Sequence, residues 1–168
     1  MELQEAKDKF IHTWGTLATQ WGINRTMSQI HALLLLSSKS LNADEIMEEL
    51  RISRGNVNMN LRELMGWGLI NKQLLPGERK EYFIAEKDIW KVARQIAKER
   101  RRREVEPILE TMEEIKAELT GDTVEKKELL KIVNDINQVT SFANTTVDSL
   151  LKAEENWLVG NFLKIFNK

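Results

Sequence analysis

Amide and guanidinium side chains are concentrated in one short stretch of the sequence, residues 53–68. Ser53 is a preferred helix N-cap, and the apolar residues after it recur at helical spacing, which predicts a short helix with one narrow buried face. Those apolar residues are Val57, Leu61 and Leu64. The remaining surface carries Arg54, Gly55, Asn56, Asn58, Met59, Arg62 and Glu63. Asn can bond an adenine edge in two places and Arg can do the same with guanine, so this surface could recognise DNA bases.

The composition of this surface sacrifices helix stability. Surface helices normally contain Glu, Lys, Gln and Ala, whereas Asn and Gly each lower helix propensity. Gly55, near the predicted N-terminus, would let the backbone approach a phosphate closely. The alternative is a poorly optimised surface helix in which Asn residues are tolerated near a cap. The neighbouring segments favour the first interpretation.

The overall composition is that of an ordinary globular protein. The chain has 168 residues, of which 42% are hydrophobic and 30% charged, enough for one good core or two small ones. Its longest purely apolar run, residues 32–36, is too short to span a membrane, and its acidic start does not resemble a signal peptide. Without Cys there is no disulfide, which fits an intracellular protein. We therefore expect a cytoplasmic protein with no membrane contact.

Residues that could support catalysis are sparse. The sequence has no Cys, one Tyr, two separated His residues and no Gly-rich phosphate-binding loop, so it offers no nucleophile, metal or cofactor constellation. His31 has no second His nearby except His12, and a core histidine is its expected role rather than a metal ligand. We predict that the chain is not an enzyme and has no catalytic residue, metal site or cofactor.

Three helices are predicted before the polar stretch. Residues 2–21 have apolar residues at steps of three and four, which is typical of an amphipathic helix. Capping-box patterns then open helices at residues 27–36 and 43–50, and these patterns are Thr26 with Gln29 and Asn42 with Glu45. The second helix is apolar almost all round and should form the core. The third connects tightly to the Ser53 helix, and the pair forms a helix-turn-helix.

A β-hairpin is predicted directly after the Ser53 helix. Gly66 and Gly68 can end that helix, residues 69–75 have strand character, residues 76–79 form a turn, and residues 80–85 return as a strand. The fold class is therefore mainly α: a winged helix-turn-helix domain of three helices plus a two-stranded β-wing, with long N- and C-terminal dimerisation helices.

Several segments resemble the MarR superfamily of bacterial and archaeal regulators. They are Leu33 to Leu36, Ile52 to Leu64, Trp67 to Ile70 and Gly77 to Phe83. More narrowly, Gly55 to Leu64 together with Arg101 to Pro107 resembles the GbsR branch. Members are dimeric repressors or activators, some of which respond to small ligands. The resemblance implies that the Ser53 helix enters the major groove of double-stranded DNA and that the Arg79–Lys80 turn reaches the adjacent minor groove or backbone. The candidate DNA-binding residues are Ser53, Arg54, Gly55, Asn56, Asn58, Met59, Arg62, Arg79 and Lys80.

A long helix is expected from Ile89, with a kink or break at Pro107, since proline removes a backbone donor. Four consecutive arginines, Arg100 to Arg103, precede that proline. They are either a solvated helical turn partly neutralised by neighbouring Glu residues or a second phosphate-binding patch.

Two further helices are predicted towards the C-terminus. Gly121 should end the preceding helix, Asp122 with Glu125 should cap the next, and Asn144 or Thr145 should cap the last. Their apolar stripes exceed what the winged domain can cover, so we expect a homodimer. The predicted interface anchors are Trp14, Leu150, Leu158 and Phe162. The expected division is 1–24 (N-terminal dimerisation helix), 25–87 (winged helix-turn-helix domain) and 88–168 (C-terminal helical dimerisation region).

The charge distribution is compatible with DNA binding. The whole chain has a net charge of −1. However, residues 51–80 contain six basic and two acidic residues, and residues 91–103 contain seven basic residues and one acidic residue. A focused basic patch is sufficient for a phosphate footprint. We predict a sequence-specific DNA-binding transcriptional regulator. The alternative is a winged-helix module for protein contact alone, which should show an apolar or acidic outer face.

Five Trp residues are many for a chain of this size. Trp14, Trp21 and Trp90 fall on helices expected to border the winged domain and the dimerisation helices. Tryptophan faces attract cations, and the GbsR branch includes members that sense choline, so these three residues are candidates for a cationic small-molecule effector pocket. The alternative is packing in the core and the dimer interface.

Overall fold

The computed structural model describes residues 1–20, 22–121 and 123–152, with side chains described as far as Thr145. The chain forms two compact units, residues 1–95 and 96–168. The elements in chain order are α1 (Leu3–Gln20), α2 (Arg25–Leu36), β1 (Leu41–Asn42), α3 (Ala43–Leu50), α4 (Arg54–Gly66), β2 (Ile70–Leu74), β3 (Glu81–Ala85), α5 (Ile89–Arg100), a π-helical turn (Arg101–Val105), α6 (Glu106–Glu118) and α7 (Val124–Lys152). The mainly helical fold class with its small antiparallel sheet is as predicted. The three-part domain division stays a prediction.

Helix α2 is the centre of the first unit. Its Ile30 and Leu34 side chains are fully buried, and the helix packs against α1, α3, α4 and β3. Helix α1 approaches α2 closely at Gly15, where a Cβ atom would lie 2.8 Å from Cγ of Gln29. The buried face of α1 is therefore built from small and branched residues, Ile11, Gly15 and Ala18. Three apolar residues of the predicted stripe of α1, Leu3, Phe10 and Leu17, are exposed.

The predicted start of α2 was wrong. The helix begins at Arg25, and its cap is Asn24, whose side-chain oxygen accepts from the Met27 backbone N–H at 3.1 Å. Thr26, the expected cap, lies inside the first turn. Asn is at least as good an N-cap as Thr, so the earlier residue takes the role.

A lysine closes the other end of α2. The Lys87 Nζ donates to the carbonyl oxygens of Leu34, Leu35 and Ser37 at 2.6, 2.7 and 2.6 Å. Carbonyl groups at a helix C-terminus have no partner within the helix, so a cation there satisfies them and interacts favourably with the helix dipole. The segment between β3 and α5 is thereby tied to the core helix.

The wing is part of a three-stranded antiparallel sheet in the order β1-β3-β2. The two predicted wing strands pair from Ile70 opposite Ala85 to Leu74 opposite Glu81. Strand β1 was missed, because two residues are too few for an alternating pattern. It pairs Leu41 with Phe83 on the far side of β3.

The turn from α4 to β2 is a Schellman motif. Gly68, with φ of 68°, donates its N–H to the Met65 carbonyl at 2.9 Å, and the Leu69 N–H bonds the Leu64 carbonyl at 3.0 Å. A Cβ atom at Gly68 would lie 3.0 Å from Nε2 of Gln95. Both the backbone conformation and the close packing therefore favour glycine at this position.

The second unit contains the π-helical turn and helices α6 and α7. Pro107 lies in the first turn of α6, as predicted, and the chain accommodates it through the π-helical turn just before. Between α6 and α7, Gly121 has φ of 93°, and the Thr123 hydroxyl accepts from the Lys126 N–H at 3.2 Å. Thr123 is thus the N-cap of α7, and the predicted cap Asp122 lies outside the described residues.

A predicted break in the C-terminal region is absent, because α7 runs unbroken through Val124–Lys152. Thr145, which we expected at a helix start, bonds the Ser141 carbonyl at 2.9 Å, one turn back in the same helix. Threonine in a helix interior can satisfy its hydroxyl in this way. Residues 153–168 and the side chain of Leu150 lie outside the described part, and the expected anchors Leu158 and Phe162 fall there.

Candidate nucleic-acid interface

Helices α3 and α4 form the predicted helix-turn-helix. The α3 capping box is complete: the Asn42 side chain accepts from the backbone N–H groups of Asp44 and Glu45, and Glu45 accepts from the Asn42 N–H at 2.8 Å. The connection to α4 is short because Arg51 takes a left-handed conformation, with φ of 53°. This conformation is uncommon for a residue other than glycine. It turns the chain directly into the N-cap of α4.

Helix α4 has the predicted buried face. Ser53 caps it by accepting from the Asn56 N–H at 3.3 Å. The Val57, Leu61 and Leu64 side chains are buried against the core. The opposite side is exposed at Arg54, Gly55, Met59 and Arg62, while Asn56 and Asn58 are half-buried at its edges.

Asn60 is a buried polar residue of α4 that the sequence analysis missed. It is only 2% exposed, and its Nδ2 donates to both the backbone and side-chain oxygens of Asn56, at 2.8 and 2.7 Å. This pair fixes the Asn56 amide with its nitrogen directed away from the shared bond. The spacing of four residues between two Asn was the available signal.

Asp44 joins the candidate surface, which the sequence analysis also missed. One carboxylate oxygen accepts from the Arg54 guanidinium, and the other accepts from the Lys80 Nζ at 3.0 Å. The hydrogen bond from Lys80, with the nearby Arg54 charge, holds the pKa of Asp44 below its usual value, and the same contact raises the pKa of Lys80. Two candidate DNA-binding cations therefore share one carboxylate.

The wing presents its cations at an exposed tip. Arg79 and Lys80 are both exposed, and the turn from Leu75 to Glu78 is closed by a backbone hydrogen bond of 3.1 Å. Further along the hairpin, Lys72 of β2 and Glu81 of β3 form a cross-strand ion pair at 2.8 Å. The structure thus brings α4 and one wing cation together through Asp44.

The three candidate effector residues are not gathered into one described site. Trp14 stacks on Phe10, with ring centroids 5.6 Å apart, and lies 6.4 Å from the His31 ring. Trp90 is 52% exposed at the start of α5. Trp21 lies outside the described residues.

The arginine run pairs with carboxylates of its own helical segment. Arg102 and Arg103 donate to the buried Glu99 at 2.8 and 3.2 Å, and Arg100 bonds Glu104 at 2.9 Å. Arg101 lies 3.7 Å from Glu106. This geometry favours the neutralised helical turn over the phosphate-binding patch.

In the described ranges, no helix is long and apolar enough to cross a membrane. The same ranges contain no group of three or more His, Asp or Glu side chains placed to hold a metal ion.

The chain is similar to known transcriptional regulators. Residues 17–88 match the model of the sugar-specific transcriptional regulator TrmB family. The HTH-type transcriptional repressor GbsR of Bacillus subtilis (strain 168) is 26% identical over 117 residues, which cover 70% of this chain and 64% of that protein. The chain thus spans about 64% of the length of this relative.

One solved structure supports the fold, and a second has a weaker similarity. The crystal structure of a transcriptional regulator superposes with a TM-score of 0.66 at 15% identity, covering 87% of this chain and 95% of that one. A mutant of Staphylococcus aureus MepR bound to an oligodeoxyribonucleotide gives a TM-score of 0.41 at 16% identity, covering 83% and 92%. The TrmB family, GbsR and the first of these two structures are all transcriptional regulators.

Proposed function

We propose that the chain is a transcriptional regulator of the winged-helix family rather than an enzyme, and that it binds operator DNA as a homodimer with α4 in the major groove. The observation that carries this proposal is the outer face of α4. Arg62 and Met59 are exposed there, and Arg62 has no ion-pair partner among the described residues. A protein-binding module would instead present an apolar or acidic face.

Separate roles follow from the chemistry of this face. We propose Arg54, Asn56, Asn58 and Arg62 as base-contacting residues, with Met59 against a thymine methyl group. Ser53 and Gly55 lie at the helix N-terminus, where backbone N–H groups can approach a phosphate. Arg79 and Lys80 contact the backbone or the adjacent minor groove, so they contribute affinity without sequence preference. Binding to chromosomal DNA places the protein in the cytoplasm.

Selection of duplexes from a random pool, followed by titration of variants, tests these roles. Asn58→Ala or Arg62→Ala should cost about 1–3 kcal/mol on the selected operator and relax preference at one base position per half-site. Arg79→Ala should weaken binding to all sequences and reduce the salt dependence by about one phosphate contact. Lys9→Ala removes an exposed charge from α1 and is the matched control. A uniform loss in Arg62→Ala for every sequence would assign that residue to phosphate contact.

The homodimer is supported by apolar side chains that the described structure leaves exposed. On α7, Leu129, Ile132, Ile136 and Val139 recur at alternating steps of three and four, and each is at least 38% exposed. On α1, Leu3, Phe10 and Leu17 are exposed as well. Such spacing forms a seam between helices in coiled-coil packing. We propose that a second copy covers these surfaces and sets the two α4 helices about 34 Å apart.

Light scattering and sedimentation test the assembly. Ile132→Asp together with Val139→Asp should convert the dimer to a monomer at micromolar concentration and abolish tight operator binding. Asn134→Asp together with Gln138→Asp adds the same two charges at exposed polar positions of α7 and should leave the dimer intact. A wild-type monomer that binds the operator normally would contradict the homodimer.

A cationic effector bound by Trp14, Trp21 and Trp90 is a further proposal. Its support is the exposed ring of Trp90, because a tryptophan face can attract a quaternary ammonium group. Such a ligand regulates only if its affinity differs between the free and the DNA-bound dimer. Titrating choline while following Trp fluorescence and operator affinity tests it. No change in either signal at millimolar ligand would exclude choline.

A further inference from the structure

Asp44 connects three parts of the DNA-binding surface. It is the second residue of α3, it accepts a hydrogen bond from Arg54 at the first position of α4, and it accepts another from Lys80 at the wing. These are contacts between residues far apart in sequence, so they set the position of the wing relative to α4. Helix α4, which contains Arg54, is capped by Ser53, and strand β3, which follows Lys80, pairs with β2, so the hydrogen bonds of these two elements do not involve Asp44.

The Asp44 side chain is less exposed than the two cations that it binds. The Asp44 side chain is 29% exposed, whereas those of Arg54 and Lys80 are 64% and 56% exposed. The carboxylate is thus the inner member, and both cations extend past it. Arginine has five N–H donors and lysine has three, so each keeps donors for DNA while it remains bonded to Asp44.

We propose that Asp44 is a specificity-determining positioning residue. It holds Arg54 and Lys80 in one arrangement, and it partly neutralises the positive charge that they present to phosphate. This inference rests on the proposed function. A fixed guanidinium loses less conformational freedom when it bonds a base edge. A carboxylate beside two cations also lowers the sequence-independent attraction to DNA, which depends on the cations available to phosphate.

The fixed arrangement of the cations favours binding to the operator, whereas their partial neutralisation by Asp44 weakens binding to random duplex. In Asp44→Asn the size of the side chain is kept and one negative charge is lost, and one of the two oxygen acceptors becomes an NH2 donor, so Asn can no longer hold both cations. Random duplex should then bind roughly fivefold more tightly, with a salt dependence steeper by about one phosphate contact. Operator affinity should stay level or fall. The ratio of operator to random affinity should therefore drop by roughly fivefold or more.

Fluorescence anisotropy at several salt concentrations measures both affinities for each variant. Asp44→Glu keeps the carboxylate and should restore most of the ratio. Glu81→Gln is the matched control, because it removes an equal charge that is bonded to Lys72 within the sheet alone. It should keep the wild-type ratio.

Lys80→Gln provides a second, independent variant that leaves α3 unchanged. It breaks only the wing contact, so backbone relaxation at residues 77–80 should show the same added motion as in Asp44→Asn. Its salt dependence should become shallower, whereas that of Asp44→Asn becomes steeper. Opposite slopes with the same wing motion support the inference. If Asp44→Asn is too unstable for titration, the inference is tested by Lys80→Gln alone, through its shallower slope and added wing motion.

The failures can be told apart. A wild-type protein without any sequence preference would overturn the proposed function and this inference together. A selective wild type whose Asp44→Asn variant keeps the full ratio, or whose Lys80→Gln variant shows no added wing motion, would overturn the inference alone. Equal losses of ratio in Glu81→Gln and Asp44→Asn would also overturn it, because the effect would then be one of net charge.

Discussion

Protonation of His31 should govern the acid stability of the first unit. The side chain is 2% exposed in α2, and its Nε2 has no hydrogen-bond partner among the described residues. Burial, with a smaller contribution from the Lys87 charge, lowers the pKa of His31 from 6.5 to about 4. Between these two values the unfolded chain binds a proton that the folded chain does not. Stability is therefore lost as the pH falls from 6.5 to 4 and is unaffected by this group above that range.

The magnitude follows from the width of that range. Each pH unit within it costs about 1.4 kcal/mol, so the loss is about 2 kcal/mol at pH 5 and about 3 kcal/mol at pH 4. Carboxylates such as Asp44 and Glu45, whose pKa values are lowered in the folded state, add their own loss as the pH approaches 4. The interval from pH 6.5 to pH 5 isolates the histidine best.

Urea unfolding followed by Trp fluorescence at closely spaced pH values measures this loss. His31→Phe fills a similar volume and cannot titrate, so its stability should change by about 2 kcal/mol less than wild type between pH 6.5 and pH 5. His12→Phe removes the exposed histidine of α1 and serves as the control, which should keep the wild-type slope. Parallel pH profiles for wild type and His31→Phe would refute the argument.

Three other substitutions test contacts of the first unit. Lys87→Met removes the charged donor from three carbonyls at the end of α2, so it should cost about 1–3 kcal/mol by urea unfolding and raise the pKa of His31 measured by NMR titration. Gly68→Ala forces a Cβ atom into the left-handed turn and against Gln95, and thermal unfolding should show a loss of about 1–2 kcal/mol. Asn42→Ala breaks the α3 capping box and should cost about 1 kcal/mol, with faster amide exchange in the first turn of α3.

Local signals in the sequence were sufficient for the helix-turn-helix. The Ser53 cap, the Asn42 capping box and the apolar spacing of α4 each depend on residues within four positions, and all three are found in the structure. N-cap prediction fails where two capping residues lie close together, and Asn24 therefore caps α2 in place of Thr26. It also fails where the capping side chain has another hydrogen-bond partner. The Thr145 hydroxyl bonds the Ser141 carbonyl, so Thr145 lies inside α7.

Contacts between distant residues were not predictable from the pattern. Asp44 appeared as an ordinary acidic residue in the first turn of α3, where it suits the helix dipole. Nothing in the spacing indicates that Lys80 reaches it across the wing. Strand β1 likewise exists because Leu41 lies beside Phe83, which is a tertiary pairing. The candidate DNA-binding elements could therefore be predicted from local sequence, while the arrangement of their charges could not.

The availability of a cation matters more for DNA binding than the charge of its segment. Residues 91–103 have a larger net positive charge than residues 51–80, yet each arginine from Arg100 to Arg103 is close to a glutamate of the same helical segment. Phosphate would have to displace those glutamates, so the net charge of that segment overstates its attraction for DNA. Arg62 and Arg79, in contrast, have no ion pair within the described residues. Among the candidate DNA-binding cations Arg54, Arg62, Arg79 and Lys80, we therefore expect Arg62 and Arg79 to present their full charge to DNA, because Arg54 and Lys80 share Asp44.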